Sequence, residues 1–135
     1  MLNKTNTNNA PKAIGPYSQA IIDGNLIYTS GQIPLDPETG LTVGENIEEQ
    51  THRVCKNLSA VLNASGGSME TVIKTVCYLS NMDDFAKFNE IYAEYFLEKP
   101  ARSCVEVARL PKNVLVEIEV IAKRRGDQND ECKQI

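Results

Sequence analysis

The sequence predicts an α+β fold in which one sheet carries two helices on one face. Three observations carry that expectation. Short apolar and β-branched runs recur along the chain, two longer stretches show helical spacing, and turn-forming residues separate most of these segments. At 135 residues the chain fits a single domain large enough to bury a core, predicted over residues 1–126. A polar tail, residues 127–135 with Cys132, is expected to be disordered.

A short strand is expected near Thr5. Ser18–Ile22 and Leu26–Ser30 flank Asp23-Gly24-Asn25, whose residues tolerate the positive φ of a tight turn, so they read as a hairpin. Residues 31–46 contain Pro34, Pro37, Gly40 and Gly44 and read as a long shaped loop. Ile47, Val54, Leu58, Val61 and Leu62 form one apolar stripe of a helix over Ile47–Ser65, ended by Gly66-Gly67. His52 lies five residues past Ile47, about 140° around the helix, and is expected to be solvated. Thr71–Leu79 reads as a strand. Asp83–Leu97 reads as a second helix with Asp83 as N-cap and Phe85, Phe88, Tyr92, Tyr95 and Phe96 turned to the core.

Arg102–Leu110 and Val114–Lys123 read as two final strands joined at Pro111-Lys112-Asn113. Paired as a hairpin, Val105 opposes Ile118 and Val107 opposes Val116, and these faces go against the helices. Arg102, Cys104 and Glu106 then share the other face with Leu115, Glu117, Glu119 and Ile121. Glu106 opposes Glu117, a like-charge pair that destabilises an isolated sheet. That conflict, and the uncovered apolar residues beside it, predict a homo-oligomer. Arg102 stands opposite Ile121, about 13 Å along the strand from Glu117, so the two are expected to meet one small substrate only across a subunit interface.

Bulk properties exclude several function classes. Apolar residues make up 41% and charged residues 24%, no apolar run approaches a membrane span, and the N-terminus lacks a signal or transit pattern. The expected location is the cytoplasm, with reduced thiols. The net charge of −4, from 14 basic and 18 acidic residues, argues against nucleic acid as a partner. The one basic run, Lys123-Arg124-Arg125, ends a strand. Four separated cysteines and one histidine give no metal-ligand spacing.

Four blocks then give the chain an identity by resemblance: Ala13-Ile-Gly-Pro-Tyr-Ser-Gln-Ala20, Ser30-Gly-Gln-Ile-Pro-Leu35, the block from Pro100 to Pro111 containing Ala-Arg-Ser-Cys, and Val116-Glu-Ile-Glu-Val-Ile-Ala122. With them, the chain resembles the RidA family, also called YjgF or L-PSP endoribonuclease-like, from about Asn3 to Arg125. The resemblance implies a chorismate-mutase-like fold, a trimer around a central β-barrel, and clefts between subunits. It also implies hydrolytic deamination of 2-imino and enamine acids such as 2-aminoacrylate, giving 2-keto acids and ammonia. The matching site positions are Tyr17, Ser30, Gly31, Asn89, Arg102, Cys104 and Glu117.

The chemistry suits those residue types. Arg102 offers a planar fork for the substrate carboxylate, to which the backbone N–H of Cys104 adds a donor. Glu117 orients a water and accepts its proton, while Tyr17 and Ser30 frame the reacting end, with Gly31 and Asn89 among the binding residues. No cofactor is needed, because the imine is already electrophilic. Cys104 reads as a packing residue that contributes its backbone, with an oxidisable thiol as the alternative; no base is evident to lower its pKa. Glu119 reads as structural and barrel-facing. The linker Phe96–Pro100 is shorter than the family's and shapes the cleft. Two other readings remain, an endoribonuclease or translation inhibitor acting on RNA, and a non-catalytic module binding small carboxylates. The presence of both Arg102 and Glu117 favours catalysis.

Overall fold

A computed structural model describes residues 2–125; the tail predicted at 127–135 lies outside them. Six strands form one mixed sheet: β1 (Asn3–Thr5), β2 (Ala20–Asp23), β3 (Leu26–Thr29), β4 (Val72–Leu79), β5 (Ala101–Glu106) and β6 (Val116–Lys123). Their spatial order is β1-β2-β3-β6-β4-β5. Helices α1 (Ile47–Ala64) and α2 (Phe85–Tyr95) share one core with one face of that sheet.

Local chemistry explains most boundaries. Asp23 pairs with Leu26 across Gly24-Asn25, and Gly24 takes a φ of 60° that a side chain resists. Asn46 caps α1, its Oδ1 accepting from Glu49 N–H at 2.8 Å, and Gly66 (φ 92°) lies just past the Ser65 cap. The α1 stripe of Ile47, Val54, Leu58, Val61 and Leu62 is wholly buried. The second helix begins later than its composition predicts. Met82–Asp84 forms a 3₁₀ turn capped by Asn81, and α2 starts at Phe85, so Asp83 is not its cap.

Two further expectations fail. His52 is half-buried rather than solvated, because its Nδ1 lies 2.8 Å from the Tyr95 hydroxyl and ties α1 to α2. The final hairpin does not form either. β5 pairs parallel with β4, setting Arg102 beside Thr75 and Cys104 beside Cys77. β6 instead inserts antiparallel between β3 and β4. Its residues Val116, Ile118, Val120 and Ala122 are all buried, because that face packs into the core with the helices while β3 and β4 pair its two backbone edges. Parallel pairing of β5 is possible because α2 serves as the crossover.

The new pairing inverts the face of β5. Thr75 and Cys77 share registers with Val120 and Ile118 of the buried face, so Arg102 and Cys104 lie on the helix side. Val105 turns to the open side and is 45% exposed. Glu106 faces no glutamate; its carboxylate accepts from the Met82 N–H at 2.8 Å. The open face still lacks helical cover and carries the exposed Tyr28, Ile73 and Val105.

Candidate active site in two halves

One half gathers around Glu117. Gln32 and Ile118 exchange two backbone hydrogen bonds (2.8 and 3.1 Å) in an antiparallel bridge, which turns Gly31 and Glu117, the residues flanking it, to the same face as diagonal neighbours. A methyl group on Gly31 would fall 2.8 Å from the Glu117 carboxyl carbon, with Oε2 closer still. Only glycine leaves the carboxylate in place. Ser30 is anchored by its N–H to the Gln19 carbonyl (2.9 Å), and its hydroxyl donates to the Ser18 carbonyl at 2.5 Å. Its remaining lone pairs therefore act as acceptors. Tyr17 Oη accepts from the Ile14 N–H at 3.3 Å, leaving its own hydrogen free to donate. Tyr17, Ser30, Gly31 and Glu117 together line a cleft of about 430 Å³. Burial, and secondarily the charge of Glu119, raises the Glu117 carboxyl above the ordinary range. Glu119 in turn accepts from the Tyr78 hydroxyl at 2.9 Å.

The other half surrounds Arg102. Its Nη1 donates to Asn89 Oδ1 at 2.7 Å, and its guanidinium carbon lies 4.8 Å from the Tyr92 ring centre and 5.4 Å from that of Phe85. The Tyr92 hydroxyl is 2.8 Å from Thr75 Oγ1, which fixes the ring under the cation. Among the described residues, none of these partners is a carboxylate, so the fork's other N–H groups are available to an anion. Asn89, Tyr92, Phe96, Leu97, Pro100 and Arg102 line a cleft of about 450 Å³. The short linker closes this cleft through a tight turn, with Lys99 at φ 53° and its N–H bonded to the Phe96 carbonyl (3.2 Å).

A family model described as Endoribonuclease L-PSP matches residues 7–124. The chain belongs to the RidA/YjgF family. A RutC family protein of Pyrococcus horikoshii is 60% identical over 117 residues, covering 86% of this chain and 93% of the relative. The 2-iminobutanoate/2-iminopropanoate deaminase of Salmonella typhimurium is 47% identical over 123 residues, covering 88% and 95%. Among solved structures, Escherichia coli TdcF with bound serine superposes with a TM-score of 0.86 at 42% identity, covering 90% of this chain and 98% of that one.

Within this RidA/YjgF chain the seven expected site residues thus divide. Tyr17, Ser30, Gly31 and Glu117 form one cluster, while Asn89, Arg102 and Cys104 form another on the opposite sheet face. Cys104 differs from its expected character. The neighbouring Cys77 thiol, and then the Arg102 guanidinium, lower it to about 7 against the burial that raises it. Sequence reading missed Cys77 because only the parallel register brings it beside Cys104. It also missed Lys112 and Ile33 in the Glu117 cleft. Asn57 holds that wall, donating to the carbonyls of Ile33 (3.2 Å) and Leu35 (3.0 Å); a buried Asn in a helical stripe was the available signal. Among the described residues no helix is long and apolar enough to cross a membrane, and no cluster of metal-ligating side chains occurs.

Proposed function

We propose that the protein hydrolyses 2-imino acids, formed from enamine acids such as 2-aminoacrylate, to 2-keto acids and ammonia, at sites built between the subunits of a homotrimer. The observation that carries this reading is the division of the site. An anchored guanidinium with free donors and a carboxylate of raised pKa stand in separate open clefts on opposite faces of one sheet. Each half lacks what the other supplies, and the open sheet face is the surface through which copies of the chain would pack. The Salmonella relative's name supports the reaction class.

In this reading the substrate carboxylate lies on the Arg102 fork and the Cys104 backbone N–H of one subunit. Glu117 of the neighbouring subunit removes a proton from water as the oxygen adds to the imine carbon. That proton passes to nitrogen to give the tetrahedral adduct. The adduct's hydroxyl then loses its own proton, which is also delivered to nitrogen through Glu117, and the carbon–nitrogen bond breaks, so that ammonia leaves and the keto acid remains. Ser30 accepts from the substrate N–H and Tyr17 donates at the rim. The chemistry draws on orientation and acid–base help from these groups.

The test couples a purified Ser/Thr dehydratase to this protein and follows 2-keto acid release. Faster release with the native chain and not with Arg102→Ala supports the reading. Unchanged release, with salt-sensitive cleavage of single-stranded RNA, would move the function to nucleic acid; unchanged release with carboxylate binding alone would make it a binding module.

A further inference from the structure

The residue in register with Cys104 is a second cysteine. Cys77 is its partner across the parallel β4–β5 ladder, and both side chains lie on the helix face of the sheet. Neighbouring strands run about 4.8 Å apart, inside the window of roughly 4.4–6.8 Å between Cα atoms that a disulfide spans. The two thiols differ in access. Cys77 is sealed in the core, whereas Cys104 is partly exposed on the edge strand, two residues from Arg102.

We propose that Cys104 and Cys77 form a peroxide-sensitive dithiol, in which Cys104 reacts with hydrogen peroxide and Cys77 closes on it as an intramolecular disulfide. The Cys104 thiolate attacks one peroxide oxygen and the O–O bond breaks, leaving a sulfenic acid and hydroxide, which takes a proton and departs as water. The Cys77 sulfur then attacks the Cys104 sulfur. The S–O bond breaks, and the hydroxide leaves with the Cys77 proton as a second water. Two thiols lose two electrons and one peroxide gains them. The adjacent Cys77 thiol and the charge of Arg102 favour the reactive thiolate near neutral pH. Cys55 is a built-in contrast, fully buried and raised far above the ordinary thiol range by burial. Closure draws Cys104 toward β4 and disturbs its backbone N–H; that consequence for turnover rests on the proposed deamination, but the disulfide itself does not.

Peptide mapping of the purified full chain tests the chemistry without any activity assay. After brief hydrogen peroxide treatment and alkylation, the expected product is a crosslinked Cys77–Cys104 peptide pair, two hydrogens lighter and restored by dithiothreitol. Cys104 should lose its free thiol about tenfold or more faster than Cys55. In Cys77→Ala and Cys77→Val the crosslink disappears and Cys104 proceeds to the sulfinic acid. Cys104 remaining reduced while Cys55 oxidises, or crosslinking to Cys132 or another chain with Cys77 still free, would overturn the proposal. The map of the unaltered protein decides between these outcomes even where both variants misfold.

Discussion

Arg102 and Glu117 project from opposite faces of one sheet. Arg102 stands in register with Thr75, beneath α2, whereas Glu117 stands in register with Tyr78, on the face that neither helix covers. A side chain cannot cross the sheet it grows from, so these two groups reach a common small molecule only if a second chain brings one to the other. That relationship makes the two halves separately testable.

The anchor half depends on a guanidinium held without a competing acid. Asn89 satisfies one of its donors and leaves the remainder free. Arg102→Lys keeps the charge but loses the planar fork, and kcat/KM is expected to fall about 100-fold or more, since charge-assisted hydrogen bonds contribute about 1.5–3 kcal/mol each. Asn89→Asp is the sharper test. It places a carboxylate where the amide oxygen was, closes an ion pair on Arg102, and should raise KM more than it lowers kcat, with the melting temperature unchanged or higher. Steady-state kinetics beside a thermal melt checks both.

Gly31 holds the other half in shape. In Gly31→Ala the new methyl group meets the Glu117 carboxyl and turns it out of the cleft. The expected cost in stability is about 1–3 kcal/mol, as for other overpacked sites. The expected loss in kcat is about 100-fold, within the range of a displaced general base. A loss of stability with full turnover would remove Glu117 from the chemistry.

The pH dependence follows from the environment of Glu117. Its folded pKa lies above the unfolded one, chiefly through burial and then through Glu119. The folded chain therefore holds this proton to higher pH, and the group's contribution to stability falls as pH rises from the unfolded to the folded pKa. Activity runs the other way. The base proposed for the reaction acts in its ionised form, so kcat/KM is expected to climb as pH rises through the folded value. Glu119→Gln removes the neighbouring negative charge while keeping an oxygen for the Tyr78 hydroxyl, and should move the acidic limb of the profile to lower pH.

His52 serves as a control in a region that the chemistry does not use. His52→Ala removes the contact with Tyr95 that joins the two helices. The expected result is a loss of about 0.5–1.5 kcal/mol in a denaturant titration, with kcat and KM unaltered. A collapse of turnover at unchanged stability would make this imidazole a catalytic candidate.

What the sequence made legible was local. The Asp23-Gly24-Asn25 turn, the α1 stripe and the aromatic face of α2 each depend on residues a few positions apart, whose spacing encodes geometry directly. Six of the seven expected site residues lie in the four contiguous blocks, and Asn89 lies outside them. Strand partnership was not, because Arg102–Glu106 alternates equally well for either neighbour, and adjacency in the chain favoured a hairpin that α2 makes unnecessary. That error put Arg102 and Glu117 on one face. It also rested one of the two arguments for an oligomer on a like-charge pair that does not exist, since Glu106 accepts from the Met82 N–H instead; the uncovered apolar residues remain.

Complementation between two inactive variants tests the shared site most directly. Arg102→Ala lacks the anchor and Glu117→Gln lacks the base, so each alone should show little turnover. If every site takes its arginine from one subunit and its glutamate from the next, mixed trimers assembled from equal amounts contain competent sites. A site works when the arginine donor is the Glu117→Gln chain, with chance one half, and the glutamate donor is the Arg102→Ala chain, also one half. About one quarter of native activity should then return after co-expression or joint refolding. If both groups came from the same chain, every site in the mixture would carry one defect, and activity would stay at the level of the separate variants. Size-exclusion chromatography with light scattering fixes the denominator by establishing that native and mixed preparations are trimers of equal mass.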